Sequence, residues 1–186
     1  MSSWNWNRPL ISVLCATYNH VEFLEDALRG FLSQRSEFPF EILVRDDASK
    51  DGTREIARRY KSRYPRVIRL LLEPHNKFQE VRALQVLLPA ARGDFFALCE
   101  GDDYWLDPLK LEKQARSLVS APGAVLSFHD GIHVRDSVVT ATSSLAPRAR
   151  REHSQYELQR GTILPLNTLM FRRVPRFPHP NFSRMV

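Results

Sequence analysis

The stretch CEGDDYW, residues 99–105, sets Glu100, Asp102 and Asp103 beside Gly101 at the end of the apolar run DFFALC. Carboxylates this close raise one another's pKa unless a cation or a run of hydrogen-bond donors offsets them. A set of oxygen ligands favours Mg²⁺ or Mn²⁺, which typically take one or two protein carboxylates and complete their shell with substrate phosphates. Gly101 would let the backbone approach such a ligand closely. The plain alternative is a solvated loop, or a cap for a helix opening near Asp107.

Two more polar clusters follow apolar runs. ATYNH, residues 16–20, closes PLISVLCATY, and DDAS, residues 46–49, closes FEILVRDD. Each has an ordinary explanation when taken alone: Tyr18 as a packed aromatic, DDASKDGT as a turn built from the residues turns prefer.

The elements that carry these clusters alternate. After PLISVLCATY, Asn19 is predicted to cap a helix with Glu22 in the reciprocal capping-box position and Leu24, Leu28, Phe31 and Leu32 on one face. After DDASKDGT, Ile56, Tyr60 and Tyr64 share a helical face. RVIRLLL reads as a third strand, and Val81, Leu84, Leu88 and Ala91 as a helix that Pro89 shortens or kinks. DFFALC is a fourth strand; Asp107 and Pro108 then open a helix striped with Leu111, Ala115, Leu118 and Val119, and GAVLSFHDGIHV resumes strand character. Strand and helix in this order predict a single-domain α/β fold, a Rossmann-like, mainly parallel sheet with helices on both faces. Ligands of such sheets bind beyond the carboxyl ends of the strands, so the three clusters should converge.

Bulk properties narrow the options. The chain has 186 residues, 43% of them hydrophobic and 26% charged, an ordinary globular composition. It contains no run long enough to span a bilayer, and MSSWNWNRP lacks the apolar core of a signal peptide, so the expected location is cytoplasmic. Cys15 and Cys99 fall in strand-like runs and read as buried reduced thiols. The net charge of +6 concentrates in the tail, where APRARREHSQYELQRG offers a contact to an anionic membrane surface or a solvated loop. A nucleic-acid partner is not expected, because an acidic strand-end cluster repels a phosphate backbone.

The series PLISVLCATYNHVEFLEDALRGFLSQ, FEILVRDDASKDGT and ARGDFFALCEGDDYWLDPLKLEKQ resembles the family 2 glycosyltransferases of the GT-A fold. The resemblance covers about residues 9–130, and the three motifs in combination are highly specific. It implies an N-terminal extension (1–8), a nucleotide-sugar-binding core (9–130) and a partial acceptor-side region (131–186). It implies that Tyr18 stacks on a nucleotide base, with Ala16 and Thr17 supplying backbone contacts. Asp47 would recognise the base with Asp46 as support, Asp102 would face the ribose, and Asp103 would coordinate the Mn²⁺ or Mg²⁺ that bridges the diphosphate. Arg82 is a weaker phosphate or base contact, since NKFQEVRALQ departs from the family's glycine-containing pattern.

The partners so implied are a nucleoside-diphosphate sugar and a carbohydrate or lipid-linked acceptor, met in the cytoplasm or at the inner face of the membrane, in cell-surface polysaccharide or glycolipid synthesis. The family's reaction is an inverting transfer, which needs a carboxylate base. That base is expected after an acceptor-side segment that TILPLNTLMFRR resembles, yet no Asp or Glu follows Glu157. The expectation is therefore a chain lacking the second part of the catalytic domain, with Asp130, Asp136, Glu152 and Glu157 as poor substitutes. Trp105 either floors a sugar site or locks its loop, while His129 and His133, alternating along a strand, would face the acceptor together. The competing expectation is a nucleotide-sugar-binding module without catalysis. The sugar, the base and the oligomeric state are left open.

Overall fold

The computed structural model describes residues 8–135, 138–145, 147–151, 153–154, 157 and 164–173. Four parallel strands form its centre: β1 (Ile11–Thr17), β2 (Phe40–Asp46), β3 (Ile68–Leu72) and β4 (Phe95–Leu98). Every residue of β2, and all but one of β1, is buried, which is why these strands read as continuous apolar runs rather than as alternating ones.

Between them run α1 (Leu24–Leu32), α2 (Thr53–Arg63) and α3 (Ala83–Ala90), with α4 (Lys110–Ser120) after β4. Strand alternation sorts the core into two layers. Ile11, Val13, Ile42 and Val44 pack with Leu28 and Phe31 of α1, Ala57 of α2 and Leu118 of α4. Leu14, Leu43 and Phe96 pack on the opposite face with Leu87 of α3. Helices therefore cover both faces, as expected. α3 ends one residue after Pro89, and Ile56, Tyr60 and Tyr64 all pack against the first layer.

The order of the six-stranded sheet is β3-β2-β1-β4-β8-β5, where β5 is Leu126–Ser127 and β8 is Met170–Arg172. β8 comes from the predicted acceptor-side segment and runs antiparallel between β4 and β5, with Met170 fully buried. The order reverses direction between β1 and β4. Cys15 and Cys99 are free, and burial pushes both thiols up, so they act as core residues. No helix of the described residues is long and apolar enough to cross a membrane.

Two local expectations are corrected. Asn19 caps no helix: it adopts a left-handed φ of 54°, its amide donates to Ser49 Oγ, and its Oδ1 accepts from Lys50 N, so it staples two loops together. Helix α1 starts only at Leu24, after a turn in which His20 O accepts from Phe23 N and Leu24 N, and Glu22 is left exposed. GAVLSFHDGIHV is likewise not one strand. It splits into β5 and β6 (His133–Arg135), and β6 pairs with β7 (Val138–Ala141) in a separate two-stranded sheet. The break is Asp130, whose carboxylate gathers Gly131 N, Ser144 N and Leu145 N into a turn. His129 and His133 consequently do not alternate along a common strand.

Candidate functional site

The three polar clusters meet at the switch in strand order. Asp47 N, just past β2, donates to Thr17 O at 3.0 Å, and Gly101 N, just past β4, donates to Ala16 O at 2.8 Å. Both loops are thus fastened to the end of β1 from opposite sides. The carbonyls of Ala16 and Thr17 are used in this fastening. Tyr18, next in the chain, is 42% exposed.

Gly101 matters for packing. A Cβ there would lie 2.6 Å from Thr17 Oγ1, 2.8 Å from Thr17 Cβ and 3.0 Å from His20 Nδ1, so only glycine lets the carboxylate turn lie flat on the β1 terminus.

Burial first, and the neighbouring Asp102 charge second, raise the pKa of both Asp103 and Glu100. His20 Nδ1 stands 3.8 Å from Asp102 Oδ1, and that nitrogen is buried without a hydrogen-bond partner among the described residues. The turn is therefore short of positive charge, which a divalent cation would supply. No cluster of three or more His, Cys, Asp and Glu side chains among the described residues forms a complete cage. An ion held by Asp103 beside Asp102 would thus draw its other ligands from water or a bound diphosphate, a donor set suited to Mg²⁺ or Mn²⁺. His20 escaped the sequence analysis because nothing in ATYNH distinguishes it from a loop histidine.

The two aspartates after β2 have different surroundings. Asp46 is fully buried; its Oδ2 accepts from Ser49 N at 3.2 Å and Arg54 Nε at 2.8 Å, which makes it a tether of the loop. Asp47 is 4% exposed, and its Oδ1 accepts from Arg45 Nη2 and from Lys77 N, each at 2.9 Å. Arg45 also reaches Glu73 Oε1 at 3.2 Å, and Lys77 Nζ reaches Glu73 Oε2 at 2.7 Å. Arg82 is exposed at the start of α3, and no hydrogen bond or ion pair among the described residues joins it to Tyr18, Asp47 or Asp103.

Asp102 and Asp103 open into a cavity of about 600 Å³ whose lining also includes Trp105, Lys110, His129 and Thr168. Tyr18 and Asp47 are not part of that lining. Trp105 is a lock and not an open platform: it is 6% exposed, Nε1 donates to Asn167 O at 3.0 Å, Phe31 packs at 4.8 Å, and Lys110 Nζ lies 4.3 Å from its ring centre. His129 does line the cavity. Its Nδ1 faces Asp130 O at 2.5 Å, its Nε2 is buried without a partner among the described residues, and burial lowers its pKa.

Of the carboxylates named as substitute bases, Asp130 and Glu157 are engaged. The Ser143 hydroxyl and the turn amides hold Asp130 down to about 2, and Glu157 pairs with Arg151. Asp136 and Glu152 lie outside the described residues.

Residues 12–174 match the family model described as Glycosyl transferase family 2. An uncharacterized protein of Mycobacterium tuberculosis, Rv1520, is 38% identical over 173 residues, which cover 90% of this chain and 48% of the relative. TuaG of Bacillus subtilis, whose name makes it a candidate teichuronic acid biosynthesis glycosyltransferase, is 33% identical over 147 residues, 76% of this chain and 56% of its own. The chain spans about half the length of these relatives. Among solved structures, the mannosyltransferase PcManGT from Pyrobaculum calidifontis, in complex with GDP-Man and Mn²⁺, superimposes with a TM-score of 0.55 at 26% identity, covering 64% of this chain and 34% of that one.

Proposed function

Because the chain belongs to glycosyltransferase family 2, we propose that it binds a nucleoside-diphosphate sugar at the β1/β4 switch and transfers the sugar, with inversion, to an acceptor hydroxyl in cell-surface polysaccharide synthesis. The observation that carries this reading is the carboxylate turn itself. Asp103 and Glu100, both with raised pKa values, are pinned through Gly101 to the terminus of β1, where the exposed Tyr18 ring begins.

Each residue has a task that its surroundings suit. Tyr18 offers a ring face to the base. Asp47, oriented through Oδ1 by Arg45 and Lys77 N, keeps Oδ2 for a donor on the base edge. Asp46 fixes the loop beneath through Arg54. Asp103 would hold Mn²⁺ or Mg²⁺ beside Asp102, and that ion, when bound, stabilises charge on the departing diphosphate. The GDP-Man and Mn²⁺ of PcManGT and the name of TuaG support this donor class and setting.

Calorimetry with uridine, guanosine and thymidine diphosphates, with and without Mn²⁺, tests the reading. One of them should bind only with Mn²⁺ in the wild type, and Asp103→Ala should abolish that binding without unfolding the protein. Equal affinity in Asp103→Ala would overturn it.

One observation favours a second reading, a module that binds donor without transfer. The cavity's Asp107 pairs with Lys113 at 2.7 Å and Asp130 is consumed by its turn, so neither is free to take the acceptor's proton. Donor hydrolysis measured on the diphosphate-binding protein separates the two: turnover supports the transferase, and binding without turnover supports the module.

A further inference from the structure

Lys110, the first residue of α4, is 4% exposed. A protonated amine has three N–H groups to place. One donates to Gln114 Oε1 at 2.5 Å, and the amine also sits 4.3 Å from the centre of the Trp105 ring, a cation–π contact. Gln114 cannot turn to offer more, because its amide nitrogen donates to Ser127 O at 3.1 Å and Thr168 O at 2.9 Å.

Buried lysines ordinarily pair with a carboxylate. No ion pair to Lys110 exists among the described residues. Of the carboxylates in the cavity lining, Asp107 is committed to Lys113 at 2.7 Å and Asp130 to Arg150 at 3.3 Å, and Asp102 and Asp103 form no ion pair with Lys110 among the described residues. Position adds to the cost, since the start of a helix carries positive potential that disfavours a cation. Burial accordingly pulls Lys110 down to about 7. A methionine would fill the same space without that penalty.

The amine that lacks a counter-charge lines the same cavity as Asp102 and Asp103, and the unpartnered Nε2 of His129 belongs to that lining too. A helix start, a buried lysine and an imidazole, neither side chain in an ion pair among the described residues, form a place suited to an anion. We propose that Lys110 anchors an anionic substituent, carboxylate or phosphate, on the acceptor sugar, so that this protein takes an acidic carbohydrate as its acceptor. The word acceptor rests on the glycosyltransferase reading; the anion site stands on the cavity itself.

The test uses the full chain with Mn²⁺ and three probes, glucose, glucuronate and glucose 6-phosphate, followed by NMR titration with the Lys110 side chain observed directly. Both Lys110→Met and Lys110→Gln serve as variants, so that one misfolded protein does not end the experiment. Wild type should prefer at least one acidic sugar over glucose by about tenfold or more, the worth of one charged hydrogen bond, with a shift of the Lys110 Cε resonance on binding. The variants should bind all three probes alike. The tighter of the two acids identifies carboxylate or phosphate as the natural substituent. No preference in wild type, or a preference that survives in the variants, overturns the proposal.

Binding of a nucleoside diphosphate and Mn²⁺ by the same wild-type sample separates the two readings. Diphosphate binding without acid preference sinks this proposal alone. Acid preference without diphosphate binding sinks the glycosyltransferase reading and keeps the anion site.

Discussion

The Arg45 guanidinium meets Asp47 Oδ1 at 2.9 Å with both side chains buried beneath the rim of the sheet. This pair links the candidate base-recognising carboxylate to Glu73 and Lys77, and so to the segment between β3 and α3. Removing one partner of a buried pair leaves the other uncompensated and costs about 3–5 kcal/mol. Arg45→Met should therefore lower stability by about that amount in urea melts and, because Asp47 loses its fixed orientation, should also blur discrimination among nucleoside diphosphates measured by calorimetry in the protein that remains folded. Unchanged discrimination would separate Arg45 from recognition.

Gly101→Ala tests whether the carboxylate turn must lie on β1. The added methyl would overlap the Thr17 side chain, whose Cβ is backbone-anchored and cannot retreat. Overpacking of this kind costs about 1–3 kcal/mol. The variant should lose stability in that range and also lose Mn²⁺-dependent diphosphate affinity, since the turn must lift away from Thr17 and His20. Loss of stability with intact binding would show that the turn tolerates displacement.

The parts of this design that follow local rules were legible in the sequence. β1, β2 and β4 announce themselves as buried apolar runs, and Pro89 marks the end of α3. What was not legible depends on contacts between distant segments. Asn19 has the residue type of a helix cap but is captured by Ser49 and Lys50, thirty and more positions away. Asp130 interrupts an apparently continuous strand because Ser144 and Leu145 fold back onto it. In the site, the convergence of Tyr18, Asp47 and Asp103 follows from strand order alone, whereas His20 and Lys110 owe their interest to a buried ring nitrogen without a hydrogen-bond partner and a buried amine without a counter-charge among the described residues. No spacing rule encodes that property.

Tyr18 should separate binding from folding. Its ring is substantially exposed, so Tyr18→Ala should shift stability by only about 0.5 kcal/mol or less. A base stacked on an aromatic side chain is worth about 1–3 kcal/mol. Calorimetry should thus show nucleoside diphosphate affinity falling by about tenfold or more, while binding of inorganic diphosphate with Mn²⁺ is unchanged. Equal losses for both ligands would place Tyr18 near the phosphates and not the base.

The raised pKa values of Asp103 and Glu100 fix the sign of a pH effect. A carboxylate whose pKa is higher in the folded state holds its proton more tightly there than in the unfolded chain. The associated stability is complete below the unfolded values, 3.8 for Asp and 4.5 for Glu, and is lost as pH rises through the raised folded values. Metal-free protein should therefore carry more of this penalty at pH 7.5 than near pH 4, and Asp103→Asn should be more stable than wild type at pH 7.5, with the difference shrinking on acidification. Mn²⁺ should act oppositely, raising the Tm of wild type more at pH 7.5 than at pH 5, because the ion competes with protons for the same oxygens. Thermal melts of both proteins at the two pH values, with and without Mn²⁺, measure all of this. A Mn²⁺ effect that persists in Asp103→Asn, or that does not grow with pH, would move the metal away from this turn.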